Sequence, residues 1–205
     1  YTALPYHNRI APKTPEFRPS YQGSNPISDV WSAKAIQMVG DNIISAVNEP
    51  DNKEARSNML LAATYAGVGF GNAGCHLPHG MSYPVSGMVS KFIPNGYFGS
   101  GPIIPHGMSV ALNAPAVFKF TGFSNPDRHL NAARFLGKDI THTTKSSAGE
   151  ILANAVIEIM QKVGMPNGLK SVGYSEKDVP QLVAGTLPQH RVTKLTPIPF
   201  TSDDL

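Results

Sequence analysis

The spacing of the apolar residues is the feature that most constrains the fold of this chain. Several segments place apolar side chains three and four residues apart, as on one face of an α-helix, and no segment alternates convincingly at the period of two typical of a half-buried strand. The clearest amphipathic helix has apolar residues at Ile151, Leu152, Ala155, Val156, Ile159 and Val163. Five or more helical segments without a credible sheet predict an all-α fold.

Capping residues and prolines indicate where the helices begin and end. The apolar residues from Val30 to Val47 are expected on one helix face, and Pro115 is expected to interrupt the apolar segment 108–120. The proline-rich arm, residues 1–27, and the tail, residues 186–205, are expected to be irregular. Three helix starts carry recognisable caps: Ser28 or Asp29, Asn125 before Pro126, and Ser147 with Glu150 as a capping box.

Residues 67–107 contain the candidate functional histidines. The tripeptide His-Gly-Met begins at His79 and again at His106, and a glycine after a histidine leaves the imidazole little obstructed. Neutral imidazole is a common ligand of divalent transition metals, so one interpretation is a metal site assembled from two helices. The other is a pair of structural histidines, and spacing alone does not decide between them. Two histidines are also fewer ligands than the three or four that a metal site normally has.

Other features of the same stretch are interpreted as structural. Gly69, Gly71 and Gly74 match the dinucleotide-binding pattern G-x-G-x-x-G, but the residues before them look helical and no acid follows at the distance that a ribose requires. We therefore expect these glycines to permit close helix packing. Cys75 is expected to be a small buried residue and His76 a hydrogen-bonded core histidine. The remaining histidines are expected to be solvated: His7, His129, His142 and His190.

Composition argues against several classes of protein. The 17 lysines and arginines and 14 acids give a net charge of +3, and the basic residues are dispersed, so we expect no nucleic-acid partner. The single cysteine permits no internal disulfide. No apolar run reaches the roughly 18 residues that a membrane span needs, so no membrane partner is expected. The length fits one domain, residues 1–205.

Longer motifs then point to a family. They are YTALPY (1–6), YQGSNP (21–26), GFGNAGCHLPHGMSYP (69–84), PHG (105–107) and GTLPQ (185–189). Together they resemble the C-terminal, multi-helix half of the iron-containing alcohol dehydrogenase family, which has a dehydroquinate synthase-like fold. The similarity extends over essentially the whole chain and is greatest to the branch of hydroxyacid–oxoacid transhydrogenases.

This resemblance implies a metal site that is completed outside the chain. In the family a divalent metal, usually iron and sometimes zinc, lies between an α/β domain that binds NAD(H) and the helical domain. Its typical ligands are an Asp, a His four residues later and two further histidines, which the resemblance places at His79 and His106. The Asp, the first His and the nucleotide-binding domain would then precede Tyr1, and residues 1–205 would be the helical metal-binding domain. No cofactor-binding residue is identified in the chain.

The resemblance also implies a reaction. A mitochondrial enzyme is expected, transferring hydride from 4-hydroxybutyrate to a retained nicotinamide and then to 2-oxoglutarate. Tyr83 stands where many family members have a histidine, and a catalytic role in hydrogen bonding or proton transfer is implied for it. Hydroxyacid and oxoacid substrates carry carboxylates that need a cationic anchor. Arg191 and Lys194 are candidates that the sequence does not separate.

Two other functions remain open from the sequence. One is an ordinary NAD-dependent iron alcohol dehydrogenase, which releases its cofactor at each turnover. The other is a helical binding domain without catalysis, in which the histidines are structural. A homodimer is also left open.

Overall fold

α-Helices make up most of the regular structure. The computed structural model describes residues 1–10, 12–99 and 101–205. Its helices are α1 (Pro26–Asn48), α2 (Lys53–Ala73), α3 (Leu77–Gly87), α4 (His106–Thr121), α5 (Pro126–Phe135), α6 (Ala148–Lys162), α7 (Val179–Thr186) and α8 (His190–Thr193). Within these described ranges, β pairing is limited to one isolated bridge between Pro5 and Ser24. The predicted all-α fold is confirmed. None of the described helices is long and apolar enough to cross a membrane.

An asparagine followed by a proline begins two of the helices. At α1 the side chain of Asn25 accepts hydrogen bonds from two amides of the first turn, and Pro26 occupies the first helical position. The prediction of Ser28 or Asp29 as the N-cap is therefore wrong, because Asn25 has that role and Ser28 is the third residue of the helix. At α5 the predicted cap, Asn125, is confirmed.

α4 and α6 differ from the expected pattern. α4 continues through Pro115 as one helix, at the cost of a backbone hydrogen bond. Ser147 does not cap α6 with its side chain, because its hydroxyl donates to the carbonyl of Thr144 at 2.8 Å in the preceding 3₁₀ turn. Glu150 forms an ion pair with Lys119 at 3.0 Å instead. The predicted capping box is wrong.

The main core lies between α3, α4, α6 and α7. A second cluster joins α5 to α6, and it includes Leu152 and Ala155 from the predicted apolar face of α6. The core therefore holds α3 and α4, which carry the candidate histidines, against the rest of the fold. The buried residues of the main core are Val85, Ile104, Leu112, Met160, Val172 and Leu182.

α1 and α2 form a helical hairpin that packs through small residues. Ala35 on α1 and Ala62 on α2 are buried, whereas Val30 and Trp31 are 66% and 37% exposed. The apolar residues from Val30 to Val47 lie in one helix, as their spacing predicts, but Val30 and Trp31 are not part of the core. Helical spacing identifies residues on a common face but does not say whether another element covers that face.

The N-terminal arm and the C-terminal tail lie against each other. The backbone N–H of Leu4 donates to the carbonyl of Leu195 at 2.8 Å. The tail is more ordered than expected, since it contains α8, and its Val192 and Leu195 are only 4% and 2% exposed. This packing brings α8 against α3, beside the candidate site.

Candidate metal centre

The turn between α2 and α3 positions His79. Gly74 ends α2 with a φ of +83°, and a methyl group there would lie 2.7 Å from Tyr21 Cβ, so only glycine suits both the conformation and the space. α3 then begins at Leu77 with a proline, Pro78, in its first turn. His79 therefore lies in the first turn of α3, at the end nearest α2.

Buried serines fix the backbone at both histidines. His106 is the first residue of α4. The hydroxyl of Ser82 donates to the carbonyl of His79 at 2.7 Å, and the hydroxyl of Ser109 donates to the carbonyl of His106 at 2.8 Å. Ser86 on α3 donates to Ser109 at 2.8 Å, which links the two helices. Sequence reasoning missed these serines, although the repeated tetrapeptide His-Gly-Met-Ser was a usable signal.

The three predicted site residues lie together. The ring centroids of His79 and His106 are 5.4 Å apart, with the ring planes at 63°. The ring of Tyr83, one helical turn after His79, stacks on His106 at 6.0 Å and 22°. His79 is half-buried, whereas His106 and Tyr83 are exposed. The cluster is thus open to solvent on one side.

The protonation state of His79 suits a metal ligand. Burial, together with the nearby charge of His106, lowers the pKa of His79 to about 4. The imidazole is therefore neutral at pH 7, with a lone pair available to a cation. Among the described residues, no group of three or more ligating side chains could hold a metal. The pair fits a divalent metal as part of a larger ligand set.

His76 matches the expected hydrogen-bonded core histidine, whereas Cys75 is less buried than expected. His76 is 6% exposed, and its Nε2 is 2.9 Å from Thr2 Oγ1. Burial lowers the pKa of His76 to about 3, so its ring is neutral. Cys75 is half-buried rather than fully buried, and burial raises the pKa of its thiol, which disfavours a nucleophilic role. Both residues line a largely apolar cavity of about 250 Å³ that also contacts His79 and Phe70.

The glycines near the site differ in what surrounds them. Gly69 and Gly71 lie within α2, and a methyl group on Gly69 would lie 3.2 Å from the backbone nitrogen of Ser32 on α1. The expected close packing is confirmed at Gly69 and is wrong at Gly71, where a methyl group would meet no atom within 4 Å. The two His-Gly pairs are not equivalent, because a methyl group on Gly80 would lie 2.6 Å from Thr193 Cγ2 on α8, whereas one on Gly107 would meet open space.

One of the four histidines expected to be solvated is fully buried. His129 is 0% exposed, with its Nε2 3.0 Å from Thr121 Oγ1 and its Nδ1 2.9 Å from the carbonyl oxygen of Asn125. The prediction is wrong for His129 because both ring nitrogens find partners inside the protein, which offsets the cost of burial. It is confirmed for the three exposed histidines, His7, His142 and His190.

The two candidate carboxylate anchors lie in one groove. Arg191 on α8 and Lys194, which follows α8, line a groove of about 250 Å³ between the tail and the N-terminal arm. The guanidinium of Arg191 donates a hydrogen bond to the hydroxyl of Tyr21, a residue that the sequence did not single out. An aromatic residue in a proline-rich arm gives no signal of such a contact.

Comparison with known proteins identifies the family of the chain and several relatives. The model of the Fe-containing alcohol dehydrogenase family, C-terminal, matches residues 20–205. A relative from Dictyostelium discoideum, named a probable mitochondrial hydroxyacid-oxoacid transhydrogenase, is 53% identical over 207 residues, covering 100% of this chain and 38% of the relative. The mitochondrial hydroxyacid-oxoacid transhydrogenase of Bos taurus is 50% identical over 206 residues, covering 100% of this chain and 44% of the relative.

A solved structure has the same fold. The alcohol dehydrogenase from Oenococcus oeni superposes with a TM-score of 0.78 at 25% identity, covering 88% of this chain and 44% of that one. The chain therefore spans less than half the length of these relatives. Because the family model matches most of the chain, the chain belongs to the iron-containing alcohol dehydrogenase family and corresponds to its C-terminal, helical part.

Proposed function

We propose that this chain is the metal-binding helical domain of a mitochondrial hydroxyacid–oxoacid transhydrogenase. The complete enzyme would oxidise 4-hydroxybutyrate to succinic semialdehyde and reduce 2-oxoglutarate to 2-hydroxyglutarate through a nicotinamide that stays bound. The 50% to 53% identity over the whole chain supports this branch of the family over the alcohol dehydrogenase at 25% identity. The observation that carries the proposal is the neutral His79 beside His106 on two tightly linked helices.

His79 and His106 would hold a divalent metal, Fe²⁺ in the first instance and Zn²⁺ as the alternative. The remaining ligands would come from the part of the protein outside this chain, because two imidazoles leave the ligand set incomplete. When bound, such a metal supplies a Lewis acid that lowers the pKa of a substrate hydroxyl. The nicotinamide would bind mainly through the part of the protein outside this chain.

Side chains of this chain would shape the site and transfer a proton to the substrate. Tyr83 stacks on His106, and we assign its hydroxyl a hydrogen bond or proton transfer to the reacting oxygen of the substrate. The apolar cavity beside His79, with Phe70 in its lining, would exclude water from the reacting atoms. The small-molecule hydroxyacid and oxoacid would enter from the exposed side of the cluster.

Metal content tests the ligand assignment. In the full-length protein, His79→Ala or His106→Ala is expected to abolish metal retention, since each removes one of two imidazole donors. His142→Ala is the matched control, because His142 is exposed and lies outside the helices. Wild-type metal content in either of the first two variants, measured by elemental analysis after dialysis, would contradict the assignment.

Incubation without added nucleotide tests the reaction. The full-length protein is supplied with 4-hydroxybutyrate and 2-oxoglutarate only, and succinic semialdehyde is the expected product. A requirement for added NAD would identify an ordinary alcohol dehydrogenase instead. No product even with NAD would favour a binding domain without catalysis. The isolated 205-residue chain is expected to bind metal poorly and to oxidise nothing.

A further inference from the structure

We propose that Arg191 is the anchor for the carboxylate of both substrates. The inference rests on the proposed function for the substrate class, a hydroxyacid and an oxoacid. In 4-hydroxybutyrate and in 2-oxoglutarate, the same number of carbon–carbon bonds separates the reacting carbon from the distal carboxylate. One cation at a fixed distance from the reacting atoms can therefore serve both half-reactions.

The packing of α8 on α3 places the helix that carries Arg191 beside the helix that carries His79 and Tyr83. Thr193 and Val192 contact α3 at Gly80, where a methyl group would lie 2.6 Å from Thr193 Cγ2 and 3.7 Å from Val192 Cγ2. Gly80 directly follows His79, so the helix that carries Arg191 touches α3 within one residue of the candidate ligand. The absence of a side chain at Gly80 is what permits this approach.

Tyr21 holds the guanidinium of Arg191 in place. The Arg191 side chain donates to the Tyr21 hydroxyl, and its Cζ lies 5.2 Å from the centre of the Tyr21 ring. Tyr21 is itself fixed, because Arg9 donates to its carbonyl and Gly74 packs against its Cβ. A guanidinium held in this way loses little further freedom when it binds a carboxylate.

The charge around Arg191 favours an anion. Arg9, Arg191 and Lys194 line the groove together with His190. Across the part of the chain that the structure describes, the ion pairs involve other basic residues, and no carboxylate lies within 4.0 Å of these three cations. The hydrogen bond to Tyr21 raises the pKa of Arg191, so the guanidinium stays charged.

The same contacts separate Arg191 from Lys194. Arg191 is oriented by its hydrogen bond to Tyr21, whereas Lys194 follows the end of α8 and shares only the lining of the groove. Arginine also offers two parallel N–H donors that match a carboxylate, which the ammonium of lysine does not. These contacts favour Arg191 over Lys194.

Kinetics on the full-length enzyme test the anchor. We compare Arg191→Gln, Arg191→Lys and Lys194→Gln with 4-hydroxybutyrate and with its uncharged amide, 4-hydroxybutyramide. Arg191→Gln is expected to lower kcat/KM for the acid relative to the amide by about 10- to 100-fold, the loss typical of a charged hydrogen bond. Arg191→Lys should recover part of this preference, and Lys194→Gln, which removes a second cation of the groove, should lower it by less than Arg191→Gln does. An equal loss for acid and amide in Arg191→Gln would show a structural role and overturn the proposal.

The affinity for 2-oxoglutarate, measured by calorimetry, tests the role of Arg191 separately from the proposed reaction. The wild-type protein should bind 2-oxoglutarate, and Arg191→Gln should weaken that binding by about 10- to 100-fold. If binding depends on Arg191 but no hydride is transferred, the anchor stands and the proposed reaction fails. If the enzyme turns over and Arg191→Gln binds 2-oxoglutarate as the wild type does, the anchor is refuted. Absence of binding by the wild type would also refute it.

Discussion

Because α1 and α2 pack closely at Gly69 but not at Gly67, we expect alanine at these two positions to change the stability of the chain in opposite directions. A methyl group on Gly69 would overlap Ser32 Oγ and would lie 3.2 Å from the Ser32 backbone nitrogen and 3.3 Å from the Ser28 carbonyl oxygen. A methyl group on Gly67, two residues earlier in the same helix, would have no neighbour within 4 Å. Gly69→Ala and Gly67→Ala are therefore a matched pair that differs in packing but not in helix propensity.

The size of each effect follows from two terms. Alanine gains about 0.5–1 kcal/mol over glycine inside a helix, and this term applies to both substitutions. Gly69→Ala adds an overpacking cost of about 1–3 kcal/mol, because backbone atoms of α1 would have to move. We expect Gly67→Ala to stabilise the chain by about 0.5–1 kcal/mol and Gly69→Ala to destabilise it by about 1–2 kcal/mol.

Thermal unfolding of the 205-residue chain measures the difference. Trp31, the only tryptophan, lies on α1 with its ring centroid 5.5 Å from that of Tyr65 on α2, so its fluorescence reports on this hairpin. For a domain of this size the two variants should differ in Tm by about 3–12 °C. Equal Tm values, or a higher Tm for Gly69→Ala, would refute the view that this glycine exists for helix packing.

Two further predictions concern the site. Tyr83→Phe keeps the ring stacked on His106 and removes the hydroxyl, so kcat of the full-length enzyme should fall by about 10²-fold while metal content stays at the wild-type level; steady-state kinetics with elemental analysis checks both. Acidification from pH 7 to pH 5 should destabilise the chain. His76 and His79 have folded pKa values of about 3 and 4 against 6.5 when unfolded, so in this range the unfolded state binds protons that the folded state does not. For His76 the loss is about 2 kcal/mol, and it is smaller for the more exposed His79. His76→Gln should show a weaker dependence of Tm on pH, and an unchanged dependence would contradict the assigned cause.

Local pattern was enough to predict the helices but not what covers them. The apolar spacing on α6 placed Leu152 and Ala155 correctly in the core, because α6 packs between other helices. On α1 the same spacing does not identify the buried residues, because Trp31 is 37% exposed and small residues such as Ala35 are buried instead. Burial depends on the partner element, and the partner is not encoded in the period of a single helix.

Polar partners on the preceding helix and turn explain why His129 is buried although it was expected to be solvated. His129 was expected to be solvated because it lies on a short, mostly polar helix. Its burial is stabilised by the hydroxyl of Thr121 at the end of the preceding helix, and such a pairing has no local sequence signature. His79 and His106, by contrast, could be identified as candidates from the sequence, since both begin the same tetrapeptide.

That tetrapeptide explains why the two imidazoles can form a defined site on helices separated by a long loop. In each copy the serine bonds the carbonyl of its histidine, and in the second copy the same serine also accepts a hydrogen bond from α3. The orientation of the pair is thus set by hydrogen bonds within and between helices, made by the buried Ser82 and Ser109, which hold geometry better than a loop would. The glycines that follow the two histidines have different surroundings. Gly80 lets α8 approach α3, whereas a methyl group on Gly107 would meet open space.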